Sequence, residues 1–326
     1  MRIGMTTLFF ALISCATVSD ATPAAADSWP DKPIRIIIPF PVGGSVDATA
    51  RVFAAKLQEQ LKVPVLVESR AGAGGNVAGN AVAKAPPDGY TYLMHSNGIS
   101  IAPSMYKSLP FSPVDDLARV AELVTTSSVL IVGKNLPVKT FPEFIAYAKA
   151  NPSKLNYGAT GVGTASQLTM EMVKHATGTE IQLVPFTGDA PLFTAIIGGE
   201  VQCALVPTTT AKAHIDTGDV RALAVTTADR VPTMPSVPTM KEEGLPGFSV
   251  TGWLGLFMAA GTPREIVEHM ARESLIAIAS GDLKDSLFNL SLEPATAGPA
   301  EFDNIYKDEV ASFKKVIVDA HIPTMD

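Results

Sequence analysis

Short apolar, β-branched runs alternate with helical patterns along most of the chain. Residues 34–40 hold four isoleucines with little polar alternation, which is typical of a strand that is buried on both faces. Residues 46–61 follow, with apolar side chains recurring on one face of a predicted helix. The same patterns predict strands at residues 63–68, 90–95, 155–158, 181–186, 201–206 and 221–226, and helices at 75–85, 140–151, 164–176, 190–197, from 262 onward, and 299–320. This alternation predicts parallel sheets with helices on both sides.

Two apolar runs are longer than the other predicted strands. Residues 118–133 and 250–259 each exceed the mean strand length of folded proteins. We interpret both runs as crossovers between two lobes. The predicted fold class is α/β, with two lobes and two mixed, mostly parallel sheets joined by two crossover strands. The predicted bounds are residues 27–124 plus 250–326 for one lobe and 125–249 for the other.

Residues 1–26 have the pattern of an export signal. A basic start is followed by an apolar stretch over residues 6–18 and by alanines at 24–26. The apolar stretch is shorter than the ~20 residues that span a bilayer, so a membrane anchor is not expected. The prediction is a periplasmic protein that begins at Asp27 after cleavage.

The two cysteines bear on processing and on stability. Cys15 ends a segment that resembles a lipoprotein signal, but the alanines downstream favour ordinary cleavage over acylation of this cysteine. Cleavage leaves Cys203 alone, so no intrachain disulfide can form. The net charge of −7 and the lack of basic runs argue against nucleic acid and anionic membranes as partners. We expect a monomer that is stabilised by its apolar core.

The sequence lacks the usual motifs for catalysis, metal binding and nucleotide binding. The five histidines are not spaced for a zinc protease, and neither a nucleophile elbow nor a phosphate-binding loop occurs. A glycine-rich segment at residues 72–75 begins like a dinucleotide fingerprint, but Val77 occupies the third glycine position. No cofactor or metal is expected. An exported α/β enzyme is an alternative only if Asp47 and Asp189 face each other as paired acids.

Three predicted strand-to-helix turns share small, glycine-rich and hydroxyl-bearing sequences without lysine or arginine. They cover residues 39–47, 158–167 and 186–191. In open parallel sheets ligands bind at the carboxyl ends of strands, where glycines expose backbone N–H groups beside helix N-termini. The candidate ligand-binding residues of these turns are Phe40, Pro41, Val42, Gly43, Gly44, Asp47, Thr160, Gly161, Gly163, Thr164, Ala165, Ser166, Gln167, Gly188 and Asp189. Two strand ends add Ser96, Asn97, Thr208 and Thr209.

Several of these side chains also have a purely structural interpretation. Asp47 suits the first turn of a helix, where a carboxylate interacts favourably with the helix dipole. Thr164 and Gln167 have the spacing of a capping box, which competes with ligand binding for Gln167. Asp189 suits a helix N-cap, and the alternative is that it binds an amine or hydroxyl of the ligand. The four strand-end residues fit ordinary turns equally well.

Distinctive sequence blocks recur in order over nearly the whole mature chain. They are residues 29–44 with Asp47 and Arg51, residues 68–75, 85–91, 151–158, 161–163 and 252–256, and residues 260–263. In this order they resemble the extracytoplasmic receptors of tripartite tricarboxylate transporters, the Bug family. That family often carries histidine at the helix start where this chain has Gln167, so a cationic contact is not expected there.

This resemblance implies a type II periplasmic-binding-protein fold with a ligand cleft between two lobes. It implies that the first two glycine-rich loops hold ligand carboxylates, partly through backbone groups and ordered water. The expected ligand is a small di- or monocarboxylate, including aromatic ones such as terephthalate. The expected partners are the integral-membrane subunits of the transporter, one large and one small. A periplasmic ligand sensor for a two-component system would share this fold and site, and is an alternative.

Overall fold

Strands and helices alternate through residues 29–325, which a computed structural model describes. The predicted export signal, with Cys15 and the cleavage point before Asp27, lies outside the described residues. The strands are β1 (Ile34–Ile38), β2 (Val65–Ser69), β3 (Thr91–Ser96), β4 (Leu117–Thr126), β5 (Ser128–Gly133), β6 (Asn156–Ala159), β7 (Gln182–Pro185), β8 (Cys203–Pro207), β9 (Val220–Val225), β10 (Gly252–Ala259) and β11 (Leu292–Pro294). The helices are α1 (Ser45–Leu61), α2 (Asn76–Ala83), α3 (Gly98–Met105), α4 (Phe141–Ala150), α5 (Ala165–Thr177), α6 (Asp189–Gly198), α7 (Thr208–Asp216), α8 (Arg264–Ala279), α9 (Gly281–Asn289) and α10 (Pro299–Asp319), with a short 3₁₀ turn at Ala73–Gly75. Among these described helices, none combines the length and apolar character needed to span a bilayer.

The strands form two mixed sheets. The first has six strands in the order β11-β4-β10-β3-β1-β2, and the second has five in the order β7-β6-β8-β5-β9. In the first sheet β1, β2, β3 and β4 run one way, while β10 and β11 run the other. In the second sheet β5 runs opposite to the other strands. The predicted mixed character of the sheets is therefore confirmed, and most strands of each sheet run in one direction.

The chain passes between the sheets in both directions. β4 belongs to the first sheet and β5 to the second, so the long predicted run at residues 118–133 divides at Ser127. On the return, the Val250 N–H donates to the Thr226 carbonyl at 2.8 Å, and β10 then pairs with β4. The two connections run close together. They bring the loops at the carboxyl ends of strands from both sheets opposite one another.

Burial on both faces explains the isoleucine-rich first strand. Ile34, Ile36 and Ile38 lie in one hydrophobic cluster with α1 and α8, whereas Ile37 lies in another with α2 and α10. All four side chains are fully buried. Burying each one contributes about 1.5–3 kcal/mol, so the strand is held firmly with its carboxyl end at the first glycine-rich loop.

Helices α3 and α7 are the elements that the sequence patterns miss most clearly. α3 contains Gly98 and Pro103, both poor helix formers, and it forms because Ile99 and Ile101 are fully buried. α7 begins with three threonines at residues 208–210, a residue type that competes with the helical backbone for hydrogen bonds. Each helix starts where a strand ends. The predicted candidate residues at these strand ends therefore lie at helix N-termini, with Ser96 and Asn97 before α3 and Thr208 and Thr209 in the first turn of α7.

A hydrophobic cluster joins helices that flank different sheets. Side chains of α3 and α10, beside the first sheet, pack with side chains of α5, beside the second. Met325 adjoins this cluster, since its N–H donates to the Met105 carbonyl at 2.7 Å. Nearby, the Tyr106 hydroxyl donates to the Val162 carbonyl at 3.1 Å. These contacts hold the second glycine-rich loop against the first-sheet side of the molecule.

Candidate ligand-binding site

Loops from both sheets enclose a cavity of about 830 Å³, a volume that includes the space at its mouth. The first-sheet side supplies Phe40, Pro41, Gly44, Ser45, Val46, Ser96, Asn97, Thr126, Gly252 and Leu254. The second-sheet side supplies Ser128, Thr160, Thr164, Ala165, Ser166, Thr169, Gly188, Asp189 and Pro207, and Val250 lies between the two sides.

The structure brings together most of the predicted site residues. Those that line the cavity are Phe40, Pro41, Gly44, Ser96, Asn97, Thr160, Thr164, Ala165, Ser166, Gly188 and Asp189. Those that lie outside its lining are Val42, Gly43, Asp47, Gly161, Gly163, Gln167, Thr208 and Thr209. Gly161 instead lines a neighbouring groove, which shares Phe40 and Pro41 with the cavity.

The first loop is fixed by its own aspartate. Asp47 Oδ2 accepts a hydrogen bond from the Gly43 N–H at 2.9 Å, and Asp47 pairs with Arg51 at 2.9 Å. Gly43 has φ +93°, a left-handed conformation that favours glycine. Asp47 therefore takes the structural role at the start of α1 and does not reach the cavity. The loop presents Gly44 and Ser45 to the cavity at the N-terminus of α1.

Asp189 links the loops of the two sides. Burial raises the pKa of its carboxyl above the ordinary value, and the neighbouring Ser45 N–H and Thr210 hydroxyl oppose this change. A Cβ on Gly44 would lie 3.2 Å from Asp189 Oδ2, so glycine at this position permits the close approach of the two loops.

The second loop satisfies part of its own backbone. The Gln167 side-chain oxygen accepts from the Gly163 N–H at 2.7 Å. Thr164 is the N-cap of α5, yet its hydroxyl donates to the Gly161 carbonyl at 2.9 Å and makes no capping bond. The predicted capping box between Thr164 and Gln167 is therefore absent, because the Gln167 side chain accepts from the Gly163 N–H instead of the Thr164 N–H. Ser166 lies in the cavity lining beside the Thr164 hydroxyl at 3.0 Å.

The two threonines at the start of α7 lie outside the cavity lining, and Thr208 contacts the crossover. The Thr208 N–H donates to the Ser127 carbonyl at 3.0 Å, and its hydroxyl donates to the same carbonyl at 3.2 Å. Thr209 has a buried hydroxyl oxygen without a hydrogen-bond partner in the described chain. Thr208 thus fastens α7 to the connection between the sheets.

Sequence reasoning missed the floor of the cavity. The additional lining residues are Ser45, Val46, Thr126, Ser128, Thr169, Pro207, Val250, Gly252 and Leu254. Many of them lie at or beside the two connections between the sheets, in residues 126–128 and 250–254. A signal was available, because a cleft between two lobes must have the connections between them as its floor.

The charge of the cavity is unusual for an anion site. Asp189 is the one ionisable side chain among its lining residues, which include no lysine, arginine or histidine. Hydroxyls, amides and the N-termini of α1, α5 and α6 supply the polar surface. Hydrogen-bond donors without formal positive charge are therefore the groups that can hold a carboxylate here.

Comparison with known proteins identifies the family. A family model described as tripartite tricarboxylate transporter family receptor matches residues 49–322. This chain belongs to that receptor family. Protein BugT of Bordetella pertussis is 33% identical to the receptor over 307 residues, which cover 94% of each chain.

Two solved structures from Rhodopseudomonas palustris share the fold of this receptor. Rpa4515 with adipate is 32% identical, has a TM-score of 0.88, and the match covers 91% of this receptor and 100% of that protein. MatC with bound malate is 29% identical, has a TM-score of 0.84, and the match covers 89% and 100% of the two chains. The predicted periplasmic-binding-protein fold and Bug-type resemblance are confirmed. A receptor family of this kind points to solute binding as the activity.

Proposed function

We propose that this protein is a periplasmic receptor that captures a small carboxylate in the cavity and delivers it to a membrane transporter with one large and one small subunit. The observation that carries this proposal is the cavity itself. Three helix N-termini and several hydroxyls converge in it, at the carboxyl ends of strands from both sheets. The adipate and malate complexes of its structural neighbours support a carboxylate as the ligand class.

Neutral donors hold the ligand charge in this proposal. Backbone N–H groups at the starts of α1 and α5, with the hydroxyls of Thr160 and Ser166, form charge-assisted hydrogen bonds to the carboxylate. Each such bond is worth about 1.5–3 kcal/mol. A few of them together give micromolar binding after the cost of association.

The proposed lobes are residues 27–124 plus 250–326 and residues 125–249. The division follows the sheets to within two residues, because β1 to β4, β10 and β11 form one sheet and β5 to β9 form the other, while β4 extends to Thr126. Asp189 and Gly44 then meet across the cleft, and so do Tyr106 and Val162. These contacts support ligand capture by closure of the lobes.

Binding without turnover is the expected activity. Of the two aspartates considered as paired acids, Asp47 is tied to Gly43 and Arg51 and lies outside the lining. Asp189 thus has no second carboxylate beside it in the lining, and the acid–base pair that a hydrolase of this type needs is not formed.

A thermal-shift screen against a carboxylate library, followed by calorimetry, tests the function. At least one small carboxylate should raise the melting temperature, bind with micromolar affinity and be recovered chemically unchanged. Ser166→Ala should weaken binding about tenfold, or ~1.4 kcal/mol. Ser286→Ala, which removes a serine hydroxyl on α9, is the matched control and should bind normally. Absence of binding by every carboxylate, or conversion of the ligand, would contradict the proposal.

A further inference from the structure

A carboxylate outside the cavity lining is hydrogen-bonded to one of the lining side chains. Glu309 on α10 is partly buried and lies outside the cavity lining. Its Oε2 accepts from the Ser100 hydroxyl at 2.5 Å and from the Trp253 indole nitrogen at 3.0 Å. Its Oε1 accepts from Asn97 Nδ2 at 3.3 Å. Asn97 itself lines the cavity, so this hydrogen bond connects Glu309 to the site.

The carboxylate determines which end of the Asn97 amide faces the cavity. An ionised carboxylate has no hydrogen to donate, so the NH₂ group of Asn97 must point toward Glu309. The amide oxygen is then left on the other side. Asn97 Oδ1 lies 3.6 Å from the position that a Cβ on Gly252 would occupy, and Gly252 is also a lining residue. The cavity therefore meets a hydrogen-bond acceptor at this end.

We propose that Glu309 is a positioning residue that turns the Asn97 amide oxygen into the cavity, so that the site selects carboxylates carrying a hydroxyl or amino group. This proposal rests on the proposed function and narrows its ligand class. A ligand with such a donor pairs with Asn97 Oδ1, while a ligand without one leaves that oxygen unpaired. Asp189 adds a second acceptor to a lining without cationic side chains, which favours donors on the ligand further.

A Glu309→Gln substitution gives a directional test. The Trp253 indole can only donate, and the Ser100 hydroxyl lies beside it, so the oxygen of the new amide takes the place of Oε2. Its NH₂ group then faces Asn97. Asn97 must turn its own oxygen toward residue 309 and its NH₂ group toward the cavity. The preference of the site should change from ligands with a donor to ligands with an acceptor.

Calorimetry with matched ligand sets at about pH 8, where the carboxyl is ionised, measures this preference. The sets are lactate, pyruvate and propionate, and 2-hydroxyglutarate, 2-oxoglutarate and glutarate. In wild type the hydroxy acid of at least one set should bind about tenfold tighter than its oxo and unsubstituted analogues. Glu309→Gln should reverse the order of the hydroxy and oxo acids. Asn97→Ala should abolish the preference.

Controls separate this proposal from the general function and from loss of folding. Glu171→Gln removes another partly buried carboxylate, on α5, and should keep the wild-type preference. Glu171 is bound to Tyr157 on β6 and to Lys174 on α5. A folded Glu309→Gln protein with the wild-type preference overturns the proposal. If that variant does not fold, a retained preference in Asn97→Ala overturns it instead. If wild type binds the hydroxy, oxo and unsubstituted acids of each set equally well, only the proposed selectivity is refuted. If it binds no carboxylate at all, the proposed function is refuted.

Discussion

Raising the pH from about 5 to about 8 should destabilise the wild-type protein relative to a Glu309→Gln variant. Burial raises the pKa of Glu309 from its ordinary value of 4.5 to about 7, although the hydrogen bonds from Ser100, Asn97 and Trp253 oppose the rise. Between these two values the folded protein holds a proton that the unfolded chain has already lost. The free energy of unfolding therefore falls as pH rises through this window, and it levels off above about pH 7.

The size of the effect follows from the pKa difference. At about 1.4 kcal/mol per pKa unit, the wild type should lose on the order of 3 kcal/mol across the window. Other groups also titrate. Burial raises the pKa values of Glu122 and Asp189, which acts in the same direction, and lowers the pKa of His95 to about 4, which acts in the opposite direction. The contributions of Asp189 and His95 are common to both proteins and cancel in the difference between them. Glu122 repels the Glu309 carboxylate, so their mutual repulsion forms part of the measured difference.

Urea denaturation followed by circular dichroism, at a series of pH values, provides the assay. The free energy of unfolding of wild type minus that of Glu309→Gln should fall steadily with pH. A Glu309→Gln difference that stays constant within about 0.5 kcal/mol, the scatter of independent sites, would refute the reasoning. A difference that grows with pH would refute it more directly.

Three further predictions concern the loops and the processed start of the chain. Gly44→Ala should weaken ligand binding about tenfold in calorimetry, because the new Cβ would lie 3.2 Å from Asp189 Oδ2; unchanged affinity would count against close approach of the loops. Tyr106→Phe should raise the ligand Kd about fivefold in calorimetry, since it removes a hydrogen bond to the Val162 carbonyl worth about 1 kcal/mol. The control variant Tyr147→Phe, on α4, should bind the ligand with wild-type affinity. N-terminal sequencing of the periplasmic protein should begin at Asp27, and a lipid-modified cysteine at the start would disprove simple cleavage.

Local features of the fold are predictable because they depend on residues that are neighbours in the chain. The isoleucines of residues 34–38 mark a strand that is buried on both faces, and the structure has it there. Thr140 caps the start of α4, since its hydroxyl accepts from the Glu143 N–H at 3.3 Å, and the Glu143 carboxylate accepts from the Lys139 N–H at 2.6 Å. α3 escapes such reasoning, because Gly98 and Pro103 disfavour a helix and tertiary burial alone overrides them.

The candidate site likewise has parts that local sequence predicts and parts that depend on long-range contacts. Composition singles out the glycine-rich loops, since small residues and hydroxyls at strand ends are a local signal. The partner of Gln167 is not predicted, because the spacing suggests Thr164 while the folded loop places the Gly163 N–H within reach. No sequence pattern predicts the role of Glu309, since it contacts Asn97, which lies 212 residues away in the chain. Long-range contacts of this kind are set by the packing of α10, which no short motif records.

The position of Trp253 has an optical consequence. The sequence contains two tryptophans, and Trp253 donates its indole N–H to Glu309 directly beneath the cavity. Trp29 lies elsewhere, packed edge-on against His269 at a ring separation of 5.4 Å. A ligand that orders Asn97 changes the electric field at one indole and leaves the other untouched. The intrinsic fluorescence of the protein should therefore report occupancy without an attached dye, with Trp29 as its built-in reference.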